Sequence, residues 1–228
     1  MSERAAVSYD FAYQHYQRGD LIQALGAAMR AVELSPTNAE ARNLLGLIYF
    51  AQGKSVEAEA AFIEAARLDP KMTEAWNNLG TLYLSSNRLA EAEKALWRAT
   101  ENPLYLYPER IQNNLGLVYQ AQGKKDEAAR LFQEAVRLNP RFYLPYQNLG
   151  RLSIEQGNLA QAERHLQEAS RLCSDCAEPR YHLGRALMQM NRQKEAVESF
   201  RLGAQLDPDG YFGQLCRQYI VSERKTQD

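Results

Sequence analysis

Residues 43–70 read NLLGLIYFAQGKSVEAEAAFIEAARLDP, and the punctuation of this stretch decides the fold. Gln52-Gly53 interrupts it, and glycine there supplies the left-handed residue that stops a helix. Asp69-Pro70 closes it, because the residue before a proline is pushed out of the helical region. Ala58 and Phe62, four apart, share one face of the helix between. The stretch predicts two helices and a tight turn.

Working outward, the same landmarks return at a fixed period. Leu45-Gly46 is followed by Leu79-Gly80, Leu115-Gly116, Leu149-Gly150 and Leu183-Gly184, with successive glycines 34, 36, 34 and 34 residues apart. Ala58, Ala92, Ala128, Ala162 and Ala196 keep phase with them, as do Phe62, Leu96, Phe132, Leu166 and Phe200. Pro70, Pro140 and Pro208 close repeats, and Gln122-Gly123 and Gln156-Gly157 repeat the internal turn. Glycine inside a helix costs about 1 kcal/mol against alanine. Its recurrence at one phase implies close approach of the first helix (A) to the second (B), with the Phe or Leu filling space between repeats.

This period and these landmarks resemble the tetratricopeptide repeat family. The resemblance implies an all-α fold: an α-solenoid, or superhelix, of six helix-turn-helix repeats with a C-terminal capping helix. The repeats are placed at 5–38, 39–72, 73–108, 109–142, 143–176 and 177–210, after a flank at 1–4. Repeat one is degenerate, with Ala12 at the glycine position and Ala24, Ala31 and Pro36 holding register. Residues 211–228 are read as a cap and a frayed tail. Tyr211, Phe212, Leu215, Cys216, Tyr219 and Ile220 form its apolar stripe, and 222–225 lie in solvent.

Composition narrows the function. Twenty-seven basic side chains stand against 28 acidic ones, a net charge of −1. That balance gives no field for nucleic acid or an anionic membrane. No run approaches the 18 apolar residues of a transmembrane helix. His15, His165 and His182 are far apart in repeat register, and no glycine run cradles phosphate. Glu57, Glu59 and Glu64 are read as a solvated face. The chain is expected to be a binding scaffold, not an enzyme, with no cofactor.

Cys173-Ser174-Asp175-Cys176 is the one chemically loaded motif, standing where a repeat-ending proline would fall. A local disulfide, free thiols, and a metal or redox site all remain open. Zinc would need two more ligands, and His182 and Cys216 are the nearest candidates.

In the tetratricopeptide family helix A lines the binding groove. Carried over, that places Tyr9, Tyr13 and Tyr16 of repeat one there, four and three apart and so on one face. Asn43, Leu47 and Phe50 follow from repeat two, and Asn77, Asn78, Thr81 and Leu84 from repeat three. Asn113, Asn114 and Leu117 come from repeat four, and Asn148, Arg151 and Ile154 from repeat five. The apolar end of this stripe is expected to hold a protein partner, or else to be covered by an N-terminal extension. Asn78, Asn114 and Asn148 resemble a ladder that grips extended peptides in some family members, since an amide matches a peptide unit. The alternative is polar residues on a wet face. Tyr9, Asn43, Glu74 and Asn77 stand where chaperone-binding members carry basic clamp residues, so chaperone tails are disfavoured.

Repeat three is two residues longer than the 34-residue unit. Its end, Asn102-Pro103-Leu104-Tyr105-Leu106-Tyr107-Pro108-Glu109-Arg110, runs on to Asn114-Leu115-Gly116. Two prolines make it a stiff connector, which either packs on its own repeats or meets a ligand. This segment is similar to the tetratricopeptide pilotin lipoproteins of type IV pilus biogenesis. That resemblance implies a periplasmic scaffold on the outer membrane, held by a lipid anchor that this sequence does not carry. It implies secretin subunits as partners, whose insertion and multimerisation serve pilus assembly and motility. A Cys173–Cys176 disulfide fits that compartment. The other reading is a cytosolic adaptor that binds an extended peptide through the asparagine ladder.

Overall fold

The computed structural model describes residues 2–227, with side chains through residue 221. Thirteen α-helices and no strand are found among the described residues. In chain order they are α1 (Glu3–Gln17), α2 (Leu21–Leu34), α3 (Ala39–Ala51), α4 (Ser55–Leu68), α5 (Thr73–Ser85), α6 (Leu89–Ala99) and α7 (Pro108–Ala121). There follow α8 (Lys125–Leu138), α9 (Tyr143–Glu155), α10 (Leu159–Leu172), α11 (Ala177–Gln189), α12 (Gln193–Leu206) and α13 (Tyr211–Gln227). Odd-numbered α1 to α11 are the A helices, the even-numbered ones the B helices, and α13 is the cap. This is the all-α repeat architecture anticipated from the period.

Contacts divide the chain into two units, Met1–Gln122 and Gly123–Asp228. In the first, α1–α2, α3–α4 and α5–α6 are hairpins, and α3, α5 and α7 each pack on the hairpin before them. In the second, α9–α10 and α11–α12 are hairpins, α8 packs on α9, and α13 lies against α11 and α12.

The turns inside hairpins are left-handed, as the Gln-Gly pairs predict. Gly53, Gly123 and Gly157 have φ of 75°, 79° and 75°. Two repeats without that glycine use Asn87 (φ 57°) and Asn191 (φ 59°) instead. Asparagine is the side chain that tolerates this region best. The turns between hairpins are closed by the residue before proline. Asp69 Oδ1 accepts the Lys71 N–H at 3.0 Å, and Asn139 Oδ1 accepts the Arg141 N–H at 3.0 Å. Three helices start on side-chain caps, at Ser2, Asp20 and Asn38. Each satisfies one backbone donor at the helix start.

The recurring helix-A glycines mark the close approach of helix A to helix B that their phase implies, and the contact is made by a side chain. A Cβ on Gly46 would lie 2.6 Å from Cδ1 and Cε1 of Phe62. On Gly80 and Gly150 it would lie 2.4 Å from Cγ of Leu96 and Leu166, and on Gly184 2.5 Å from Cε1 of Phe200. The glycine is a seat for the large side chain of its own hairpin, not a point of backbone contact. The Phe or Leu sits on the glycine of its own hairpin and also fills space toward the next repeat, as expected: Phe62 shares a buried cluster with Leu79 and Leu82 of α5, and Phe200 stacks on Tyr219 of α13. Repeat one solves the same volume differently: Ala12 and Ala28 take the two positions, both fully buried in one cluster with Ala24, Leu44, Leu45 and Ile48.

Carboxylates on helix B also do more than face water. Glu59 of α4 accepts from Tyr83 Oη at 3.0 Å and from Arg88 Nη1 at 2.6 Å, tying α4 to the next hairpin. Those contacts hold the Glu59 carboxyl below its usual range, the Arg88 bond first, and lift the Tyr83 phenol, by burial and then by Glu59, to about 12. Glu93 accepts from Tyr119 and Gln122, each at 2.8 Å, one repeat later. Glu64 is closed in a pair with Arg67, and only Glu57 of the three is a plain exposed carboxylate.

The cap departs from expectation at one position. Phe212, Leu215, Tyr219 and Ile220 pack on the cluster around Phe200 and Tyr181, and Cys216 is fully buried there. Tyr211 is exposed at the first position of α13, with its ring edge-on to Phe212. The side chains expected in a frayed tail at 222–225 lie outside the described residues. No described helix is long and apolar enough to cross a membrane.

Candidate functional site

In the first unit, three successive A helices and the stretched end of repeat three enclose a concave pocket of about 350 Å³. Tyr9 and Tyr13 reach it from α1, Asn43, Leu44 and Leu47 from α3, and Glu74, Asn77 and Asn78 from α5. Tyr105 of the connector and Arg110 at the start of α7 close it. Helix periodicity sets these positions: Tyr9 and Tyr13, like Asn43 and Leu47, are one turn apart on the same face. The Tyr9 and Tyr13 rings stack with centroids 6.4 Å apart and planes 5° from parallel.

Six of the groove residues expected from sequence meet here: Tyr9, Tyr13, Asn43, Leu47, Asn77 and Asn78. Tyr16 and Phe50 do not line the pocket. They pack instead against the buried clusters of α1–α3 and α4–α5. Leu84 is half-buried outside the lining. Asn148 is buried on α9 of the second unit.

The asparagines hold one another. Asn78 Nδ2 donates to Asn43 Oδ1 at 2.9 Å, joining α5 to α3. Asn114 Nδ2 donates to Asn77 Oδ1 at 2.9 Å, joining α7 to α5, and Asn113 donates to Asn114 at 3.4 Å. Part of the ladder's hydrogen-bonding capacity is thus spent between repeats.

Leu44, Tyr105 and Arg110 are the pocket residues that the sequence reading missed, while Glu74 is placed in the groove from sequence, at a clamp position, but not as a binding residue. The only signal for Tyr105 and Arg110 is the two-residue surplus of repeat three. Pro103 and Pro108 bracket a short segment in which Tyr105 turns inward, half-buried. Leu104 and Leu106 on either side stay 85% and 80% exposed. The connector therefore both packs on its own repeats and shapes the pocket. Burial pushes the Tyr105 phenol up, and the Glu74 carboxylate adds to it. Tyr9 is raised the same way, by burial first and then by Glu40, with Asp10 and Glu74 contributing.

Away from this pocket, Cys173 caps α10, Cys176 precedes α11, and a disulfide joins them across a Cα–Cα distance of 5.4 Å. Cys173 occupies the phase of Asp69 and Asn139, so the covalent link stands where an Asx turn closes the other corners. Asp175 lies beside the two sulfurs. The further zinc ligands considered from sequence do not join them among the described residues. His182 is buried against Tyr181 and Phe212, with Nε2 3.6 Å from Glu178, and Cys216 sits in the cap against Gly203.

Models of the tetratricopeptide repeat family match residues 9–72 and 148–211, and others match 50–102, 110–142 and 131–164. No curated protein matches the sequence. Among solved structures, PilW, a widely conserved type IV pilus biogenesis factor, aligns with a TM-score of 0.82 at 21% identity, over 94% of this chain and 99% of that one. PilF of Pseudomonas aeruginosa gives 0.80 at 21% identity, over 97% and 98%. The Cut9–Hcn1 hetero-tetramer of APC/C gives 0.84 at 16% identity, over 96% of this chain and 42% of the other. At these identities the likeness is one of fold.

Proposed function

The chain belongs to the tetratricopeptide repeat family, whose members are protein-interaction scaffolds, and on that premise we propose that it acts as a pilotin in type IV pilus biogenesis. It binds secretin subunits at the outer membrane and promotes their insertion and multimerisation, on which pilus assembly and motility depend. The observation that carries this reading is length-for-length agreement with PilW, a type IV pilus biogenesis factor, and with PilF, over nearly all of both chains. Many tetratricopeptide proteins share the hairpin. The resemblance of the Asn-Pro-Leu-Tyr end of repeat three to the pilotin lipoproteins adds to that agreement in length.

The pocket of the first unit is the proposed secretin site. Its tyrosine walls and leucine floor offer apolar area at small entropy cost, the chemistry by which scaffolds hold partners. In this role the pocket shields apolar surface of the secretin subunit until the ring closes. The protein reaches the membrane by a lipid anchor and not through any of the described helices.

The test is secretin assembly in cells carrying Tyr13→Glu with Tyr105→Glu. Both side chains line the pocket and neither belongs to a buried cluster, so the fold is expected to survive. Co-purification with secretin subunits and formation of secretin multimers should both fail. Normal multimers with this variant would remove the pocket from the mechanism, and failure of the native protein to co-purify with secretin would remove the pilotin reading.

A further inference from the structure

The pocket has a charge pattern that the apolar reading leaves unused. Tyr9, Tyr13 and Tyr105 present aromatic rings on two sides of it, and Glu74 lies among the lining residues. Glu74 makes no hydrogen bond or ion pair with any described residue. Elsewhere in this unit several carboxylates are paired, Glu64 with Arg67, Glu91 with Arg88 and Glu101 with Arg98, whereas Glu74, like the exposed Glu57, is not. Asp10 and Glu40 add negative charge within range of Tyr9. The one cation in the lining is Arg110, whose guanidinium lies over the ring of Tyr107, 4.8 Å from the centroid, and is also within range of the Tyr105 phenol.

An aromatic ring carries negative charge on its face, so it attracts a cation placed over it. A carboxylate with no partner of its own beside such rings strengthens the attraction, and a neighbouring asparagine carbonyl can accept from the same cation. We propose that this pocket recognises a basic side chain, arginine or lysine, projecting from an extended segment of the partner. The inference rests on the reading of the pocket as the partner site and names the chemistry it selects. Tyr9, Tyr13 and Tyr105 cover the cation, Glu74 neutralises it, and Asn43 and Asn78 receive its remaining donors. Arg110 opposes it from the rim and sets an upper limit on affinity. The two extra residues of repeat three are what supply Tyr105, so the irregular repeat is a specificity element.

The test uses the full chain and four blocked pentapeptides, acetyl-Gly-Gly-X-Gly-Gly-amide with X as arginine, lysine, glutamine or glutamate. Tyrosine ring resonances are followed at millimolar peptide and low salt. The arginine and lysine peptides should bind about two- to five-fold tighter than glutamine, the range of an exposed cation–π contact, and the glutamate peptide weakest. Glu74→Gln should reduce that preference, and Arg110→Gln should enlarge it. Equal binding of all four peptides, a preference unchanged by Glu74→Gln, or no shift with the arginine peptide would each overturn the proposal. If secretin assembly still fails in the Tyr13→Glu, Tyr105→Glu variant while the peptides show no charge preference, the site stands and only its chemistry is wrong. A preference for cations in a protein that never binds secretin would leave the chemistry and remove the pilotin.

Discussion

Gly46→Ala is the substitution on which the packing scheme is most exposed to disproof. In a free helix the change would stabilise by about 1 kcal/mol, because alanine restricts the unfolded chain and hides backbone from water. In α3 the added Cβ falls 2.6 Å from two ring atoms of Phe62. That ring is fully buried and cannot swing aside, so α3 and α4 must part. Overpacking of this kind costs about 1–3 kcal/mol, and a clash with a trapped ring belongs at the upper end. The net expectation is destabilisation by about 1–2 kcal/mol, propensity set against overpacking. Gly26→Ala is the control: Gly26 lies inside α2 with nothing within 4 Å of the added Cβ, so it should stabilise by about 1 kcal/mol. The same chemical change should act with opposite signs. Phe62→Ala alone should cost about 3–5 kcal/mol. Combined with Gly46→Ala it recreates the Ala12–Ala28 arrangement of repeat one, and the pair should cost about 1–2 kcal/mol less than the two changes added. Urea melts give the stabilities, and amide exchange in α3 and α4 localises them, because arrays of repeats lose two-state behaviour. Stabilisation by Gly46→Ala, or strict additivity with Phe62→Ala, would refute the seat-and-plug account.

Two further outcomes follow from the second unit. Replacing Cys173 and Cys176 with serine should cost about 2 kcal/mol or less, since the closed loop is short. Cys173→Asp with Ser174→Pro, placed in the Cys176→Ser protein, should recover most of that loss by restoring the Asp69-Pro70 corner; thermal melts without reductant decide it. The histidines make stability depend on pH. Burial holds the pKa of His165 and His182 below the ordinary imidazole value, with Arg164 adding to the first and the Glu178 contact only partly offsetting the second. The unfolded chain therefore takes up protons first as pH falls. Stability should be full above about pH 6.5, the unfolded value, and decline as pH drops below it, until the folded-state pKa is passed. Urea midpoints across this range should show a shallower decline in His182→Gln, and an unchanged slope would contradict the assignment.

The sequence made the array legible because each error-prone local inference was repeated at one period. What a period cannot reveal is the partner of each recurring residue. The glycine phase marked a tight contact, yet only the packing identifies Phe62 or Leu96 as its occupant. Asn87 and Asn191 escaped notice because they reach the left-handed turn without the glycine that advertises it. Glu59 looked like surface because its partners, Tyr83 and Arg88, lie a whole repeat away. Of the pocket, the face on α1, α3 and α5 followed from helical spacing, whereas Tyr105 depends on how two surplus residues bend between prolines. Tyr211 fitted the apolar stripe by spacing and still faces solvent, since the first residue of a helix is set by the turn before it.

The asparagines show how one set of residues can serve both readings that sequence left open. A primary amide has two N–H donors and a carbonyl that accepts twice. The bond from Asn78 to Asn43 uses one donor of the first and one acceptor site of the second. The bond from Asn114 to Asn77 does the same one repeat on, with Thr81 sharing the Asn114 donor group at 3.4 Å. These bonds join consecutive A helices, which is a structural role. They also fix each amide in one orientation, and Asn43, Asn77 and Asn78 still line the pocket. A side chain already immobilised loses less entropy when a partner arrives, so what it retains of its donors and acceptors binds more tightly than a free asparagine would. If the pocket grips a partner's backbone, gluing the repeats together prepares the same amides for that second use and makes it stronger.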